Sequence, residues 1–364
     1  PAPPGHPPGG APLPEVSMSR PTGIPLSVLD VVPVFEGGSA TQALRDTVAL
    51  APRVEALGYL RYWVAEHHST PSLATSAPGI LAGRLAAATT TLRVGSGGVL
   101  LPNHAPLVVA EQFGTLEALH PGRVDLGLGR APGTDPHTAR ALRRAPERGA
   151  DDFAEQVAEL NGYFAPGDPA SPITAVPAAD GRPDLWLLGS SPASAELAAS
   201  LGLPYAFAHQ INPHATTYAL DRYRQSFRPS AYLDRPRTLI SALVTVADTD
   251  RTAREVAAPY LLGKIKMRTV RRFDAFPSAR SAAGYTYAEP ELQFLEELAE
   301  RQLIGAPDTV RDKLGELVAR TGADELMALT VVPDQADRLR SFELLAHAAR
   351  EVRPGSAEGV SARL

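Results

Sequence analysis

Trp63-Val64-Ala65-Glu66-His67-His68 ends an apolar run abruptly on one carboxylate and two imidazoles. A buried strand that stops there brings a base, a donor and a titratable group to one place. Histidine is the side chain whose ordinary pKa lies nearest neutrality. Acid–base or hydrogen-bonding chemistry fits this arrangement. A satisfied structural histidine beside an exposed one fits it too. Zinc fits poorly, because adjacent His side chains point apart and neither HExxH nor His-x-His spacing is present. No metal is expected.

Three further segments could serve the same site. Arg93-Val94-Gly95-Ser96-Gly97-Gly98-Val99 carries glycines near the end of a β-rich run. They suit either tight strand packing or a flat ring lying against the backbone. Gly127-Leu128-Gly129-Arg130 ends on an arginine, and Arg140 follows in Thr138-Ala139-Arg140. Arginine forks onto phosphate or carboxylate, although a surface arginine is common in so Arg-rich a chain. Leu188-Gly189-Ser190-Ser191-Pro192-Ala193-Ser194 runs from strand into helix. Its hydroxyls could cap the helix or, with the helix N-terminus, cradle an anion. Two arginines and a Ser-rich helix start, all after strands, favour an anionic ligand. His209 and Asn212 follow another strand and could touch a substrate. His104 and His347 look ordinary.

These segments need a frame. From Ile24 short β-rich runs alternate with helical ones: strands over Ile24–Val32, Leu60–Ala65, Leu92–Leu101, Val124–Leu128, Leu185–Leu188, Tyr205–Ala208, Leu239–Val246 and Glu325–Val331. Helices are expected over Thr41–Leu57, Ala77–Ala88, Pro106–Leu119, Asp151–Tyr163, Ala193–Leu201, His214–Phe227, Arg251–Leu262, Glu291–Glu300, Pro307–Thr321 and Ala336–Val352. Repeated β-then-α argues a parallel sheet. Eight repeats fit a closed barrel better than an open sheet. In a barrel all four segments fall at the C-terminal ends of strands, where barrel chemistry sits. Arg268–Pro290 has no clean period and reads as an insertion, either a lid or surface packing.

Composition sets the outer limits. The chain has 364 residues, 44% hydrophobic and 21% charged, enough for a large core. A net charge of −5 argues against a general nucleic-acid or membrane-surface binder. Cys is absent, which removes disulfides, thiolate catalysis and Cys-held metals. No apolar run is long enough for a membrane span, and no signal-peptide order is visible; the expected location is cytoplasmic. Residues 1–22 are Pro-rich and read as a disordered arm. The barrel domain is expected over 23–352 and a flexible tail over 353–364. No GxGxxG follows the first strand, so a dinucleotide fingerprint is missing.

Taken in chain order, Trp63–His68, Leu92–Pro102, Gly122–Arg130 and Leu188–Ser191 resemble the bacterial luciferase-like flavin-dependent monooxygenase family, over roughly Ile24 to Arg350. The resemblance implies an α/β fold, a (β/α)8 TIM barrel with insertions after strands 4 and 7. It implies reduced FMN as cofactor and O2 as co-substrate, reacting through a peroxyflavin to oxidise a small organic substrate. A separate flavin reductase would supply the reduced FMN. His67 takes the place of the catalytic histidine and Glu66 that of its neighbour facing the flavin. Gly97-Gly98 falls where relatives carry a non-proline cis peptide under the ring. Arg130 and Arg140 match the phosphate arginines, and Gly189, Ser190, Ser191 and Ser194 the opposite side of that phosphate site. A homodimer is implied, packed through helices near the second and third strands, where the small-residue helix Ala77–Ala88 permits close approach. Gly129 replaces a luciferase Cys, and Gly189-Ser190-Ser191 replaces a Glu-Ser pair. Both departures count against light emission and leave flavin use intact. The rival expectations are a deazaflavin-dependent oxidoreductase on the same barrel and a non-catalytic flavin-binding protein.

Overall fold

The computed structural model describes residues 23–130, 136–142, 152–165, 173–178, 181–269 and 273–353. The expected arm over 1–22 and all but the first residue of the expected tail lie outside the described residues, as do the Arg271-Arg272 pair and much of the loop after Arg130.

Eight parallel strands close into a barrel: β1 (Leu26–Asp30), β2 (Arg61–Val64), β3 (Arg93–Leu100), β4 (Val124–Gly129), β5 (Asp184–Gly189), β6 (Tyr205–Ala208), β7 (Thr238–Val246) and, after the short β8 (Leu303–Gly305), β9 (Glu325–Leu329). β9 closes the ring between β7 and β1. β8 lies outside the ring and pairs with the end of β7. Three residues carry too little pattern to be read as a strand, so β8 was not expected. The (β/α)8 expectation stands, with extra structure after β4 and β7.

Helices α1 (Ala40–Ala56), α2 (Pro78–Ala88) and α3 (Pro106–Leu119) follow β1, β2 and β3. α4 (Pro136–Ala141) and α5 (Phe153–Tyr163) follow β4; α6 (Pro192–Ser200) follows β5 and α7 (Thr216–Ser226) follows β6. α8 (Asp250–Thr269), α9 (Ala279–Ala283) and α10 (Glu289–Arg301) separate β7 from β8; α11 (Pro307–Thr321) and α12 (Gln335–Ala348) complete the ring. α8 runs a further two turns beyond the expected Leu262. α1 starts on a Ser39 cap that accepts from the Gln42 N–H, and it continues through Pro52. No helix among the described residues is long and apolar enough to cross a membrane.

Strand alternation divides the core in two. Along β2, Tyr62 and Val64 join the outer layer beneath the helices, whereas Trp63 joins Leu29, Trp186, Leu239 and Met327 inside the barrel. Arg61, also inward, is fully buried and bridges Asp125 at 2.7 Å and Glu325 at 2.6 Å. Arg93 meets Asp125 from the other side at 2.6 Å. A buried charge left alone costs several kcal/mol, so this network answers each buried charge with a partner. Arg61, Arg93 and Glu325 stand at the starts of their strands, one turn of side chains below the apolar layer.

The described part of the insertion Arg268–Pro290 packs on the loop after β1 through Phe276. The Phe276 N–H donates to the Val34 carbonyl, the Glu36 N–H donates to the Phe276 carbonyl, and the Phe35 and Phe276 rings lie 5.7 Å apart.

Candidate active site

A cavity of about 370 Å3 opens at the C-terminal ends of the strands. Leu29, Trp63, Leu239 and Met327 form an apolar floor. Glu66 and His67, Gly97 and Gly98, Arg130, and Gly189 with Ser190, Ser191 and Ser194 line its sides. The structure thus brings together nine of the ten residues singled out from the sequence. Arg140 is the exception: it is exposed on α4 and does not line this cavity.

At one end lie the products of β2. Glu66 is buried. Its Oε1 accepts from His68 Nε2 at 2.7 Å and from His104 Nε2 at 2.8 Å, and its Oε2 accepts from the Leu100 N–H at 3.0 Å. Burial works against ionisation, but the bonds from His104, His68 and Leu100 outweigh it and hold the carboxyl below its ordinary range. His67 is half-buried. Its backbone N–H donates to the Thr75 carbonyl at 2.7 Å, while its Nδ1 lies 3.5 Å from Thr75 Oγ1, at the outer limit of a hydrogen bond. Burial pushes the His67 pKa down, with the nearby His68 adding to the effect against the pull of Glu66. Burial thus favours the neutral imidazole, which keeps a lone pair to offer.

The Gly97-Gly98 peptide, where the family resemblance implied a cis bond, is cis. Here β3 breaks register with β4 between Gly97 and Val99. A Cβ on Gly97 would stand 2.7 Å from Leu29 Cδ1, and one on Gly98 would stand 2.7 Å from the Gly127 carbonyl oxygen. Tight packing inside the barrel wall thus accounts for both glycines, while their open side faces the cavity.

The wall formed after β4 and β5 gathers donors. Arg130, after β4, is exposed and has no hydrogen-bond or ion-pair partner among the described residues. α6 begins beside it. Ser191 caps this helix, sharing a reciprocal capping box with Ser194. The Ser194 hydroxyl is further engaged with Tyr205 Oη at 2.8 Å, and a Cβ on Gly189 would collide with it. The capping and cradle readings therefore coexist. The Ser190 hydroxyl has no partner among the described residues, and its carbonyl accepts from Asn212 Nδ2 at 3.0 Å. An unpaired guanidinium, an unengaged hydroxyl and a helix N-terminus make a donor set suited to a phosphate.

Sequence reasoning missed several cavity residues. Ser241 donates to Gln210 Oε1 at 2.9 Å, placing a polar pair on the wall. Neither residue carries a motif; only closure of β7 against β6 brings them together. His68, expected to be structural, and His104, expected to be ordinary, do not line the cavity, and both contact Glu66. His209, expected near substrate, is buried elsewhere, bonded to Thr216 Oγ1 at 2.8 Å and to the Arg301 carbonyl at 2.9 Å.

Fold and cavity define a (β/α)8 barrel protein with a cavity at the C-terminal strand ends, the usual place for the sites of barrel enzymes. The sequence model of the luciferase-like monooxygenase family matches residues 25–325, and the chain belongs to that family. A luciferase-like monooxygenase of Escherichia coli (strain K12) is 42% identical over 88% of this chain and 96% of its own length. The crystal structure of apo-MsnO8 superposes with a TM-score of 0.82 at 43% identity, covering 91% of this chain and 99% of that one. The FMN-bound oxygenating component of 3,6-diketocamphane monooxygenase from Pseudomonas putida shares the fold at 20% identity, with a TM-score of 0.67 and coverage of 91% and 98%. Family membership supports oxidoreductase chemistry.

Proposed function

We propose that this chain is a flavin-dependent monooxygenase that uses reduced FMN and O2 to oxidise a small organic substrate. The observation that carries the reading is one cavity whose lining holds both a phosphate-type donor set, at Arg130, Ser190 and the start of α6, and the His67 imidazole. The donor set fits a single phosphate. The apolar floor and the open glycine wall fit a flat ring.

Bound reduced flavin supplies the electrons that activate O2. The chain supplies the rest. Arg130 and Ser190 would hold the phosphate end, and the Gly97-Gly98 backbone would face the ring. Trp63, Leu29, Leu239 and Met327 exclude water, which limits wasteful side reactions. His67 holds or takes a proton at its free lone pair. The Gln210–Ser241 pair orients a polar group of the substrate. A separate reductase delivers the reduced flavin in the cytoplasm. A homodimer would use the α1–α2 face, where Ile80 is 80% exposed beside Leu44, Val48 and Leu81.

The test is anaerobic titration with reduced FMN and, in parallel, with a reduced deazaflavin, followed by admission of oxygen. Preferential FMN binding with rapid oxygen consumption supports the reading. Preferential deazaflavin binding with hydride transfer and no oxygen consumption replaces it with a dehydrogenase. Flavin bound without oxygen consumption leaves a binding protein.

A further inference from the structure

We propose that Glu66, with His68 and His104, forms a positioning clamp that ties the end of β2 to the end of β3 and so sets His67 against the Gly97-Gly98 wall. This goes beyond the flavin reading of the cavity but rests on it for its kinetic consequence.

The geometry argues as follows. Both carboxylate oxygens of Glu66 are taken, and all three donors come from the protein: His68, His104 and the Leu100 N–H. A carboxylate engaged three ways has little capacity left for a ligand. Its partners come from separate pieces of chain. His68 lies in the loop after β2, Leu100 ends β3, and His104 follows the short 3-10 turn Leu101–Asn103. One oxygen thereby fastens two loops on the cavity rim.

His67 sits between Glu66 and His68, both anchored through that oxygen. Among the described residues, the hydrogen-bond contact of its own ring is the 3.5 Å approach to Thr75 Oγ1. The chain then turns sharply at Ser69, which takes a φ of 53°. The position of the His67 ring is therefore inherited from its clamped neighbours. Leu100 lies two residues beyond Gly98 and also lines the cavity, so the clamp fixes the spacing of both walls.

A cation held by the same three side chains is the competing account, since their ligand atoms lie within 4.8 Å of one another. Bonds of about 2.0–2.1 Å to a tetrahedral ion would hold those atoms about 3.3 Å apart. The N–O separations of 2.7 and 2.8 Å are hydrogen-bond distances instead. Since a carboxylate accepts, both imidazoles must carry their proton on Nε2.

The experiment combines nitrogen NMR of histidine-labelled full-length chain, metal analysis, and kinetics of His104→Ala and His104→Gln. The clamp predicts the Nε2–H form at both His68 and His104, and no stoichiometric metal. It predicts flavin affinity within about twofold of the parent in His104→Ala, with turnover down about ten- to a hundredfold, because a misplaced reacting group loses that much. His104→Gln, whose amide N–H can reach Glu66, should recover most of the loss. One equivalent of divalent metal, lost in His104→Ala, overturns the clamp in favour of a cation site. Equal damage in His104→Gln and His104→Ala overturns it in favour of direct contact with the reactants. If the parent chain binds no flavin, the cavity reading fails, while the tautomers and metal content still decide the clamp.

Discussion

Trp63 and Trp186 meet edge to face inside the barrel, with ring centroids 5.5 Å apart and both side chains fully buried. Trp63 also donates from Nε1 to Asp125 Oδ2 at 2.8 Å. The apolar cavity floor is thus joined directly to the ionic layer beneath it. Trp63→Ala should lower stability by about 3–5 kcal/mol, through lost burial and the space left behind. Chemical unfolding measures it. Trp63→Phe should lose less, keeping the ring contact and giving up one bond to Asp125 Oδ2, which Arg61 still engages at 2.7 Å. Equal losses in the two variants would show that the ring contact contributes little.

His67 should leave its mark on pH dependence. Its folded pKa lies below the ordinary 6.5 because burial disfavours the cation. Between those two values the unfolded chain binds more protons than the folded one. The stability tied to this group is therefore complete above pH 6.5 and is lost as pH falls towards the folded value. Activity should likewise fall on the acid side with a midpoint below 6.5. His67→Ala should remove that limb and cut turnover about a hundredfold or more, with flavin binding retained. An acid limb unchanged in His67→Ala would assign it to another group.

Arg130 and Arg140 are separable. Arg130 lines the cavity beside α6, and Arg140 does not. A charge-assisted hydrogen bond contributes about 1.5–3 kcal/mol, reduced here by exposure and salt. Arg130→Ala should weaken FMN binding about tenfold at low salt, while Arg140→Ala should change it less than about twofold. Fluorescence titration of FMN checks both. Equal losses would place Arg140 in the phosphate site, as the family resemblance implied.

The contrast between these arginines shows where sequence reasoning reaches its limit. Strand positions were legible because alternation and apolar runs are local. Trp63–His68 and Gly189–Ser194 could be placed at strand ends for the same reason. The partner of Glu66 was not legible. His104 lies 38 residues away and meets it only because β2 and β3 are neighbours in parallel register. The Gln210–Ser241 pair was hidden likewise, since β6 and β7 had to be paired first. The glycines of β3 kept two meanings until the neighbours of each missing Cβ were known. Arg140 matched a motif, and a motif records spacing along the chain, not direction from a helix.

Those glycines support a last prediction about the wall itself. A Cβ on Gly98 would lie 2.7 Å from the Gly127 carbonyl oxygen, 3.0 Å from its carbon and 3.2 Å from Leu188 Cδ2. The closest of these atoms is backbone, held in the β3–β4 ladder, so no rotamer change makes room. Gly98→Ala should therefore push strands apart and cost about 1–3 kcal/mol, visible as a lower midpoint of thermal unfolding. Gly315 makes the control. It lies within α11, and a Cβ there would meet nothing within 4 Å. Gly315→Ala should stabilise the chain by about 0.5–1 kcal/mol, because alanine loses less freedom than glycine on entering a helix. A Gly98→Ala chain as stable as its parent would mean that the wall yields. The flavin ring would then be free to set its own depth, and FMN affinity in that variant should match the parent.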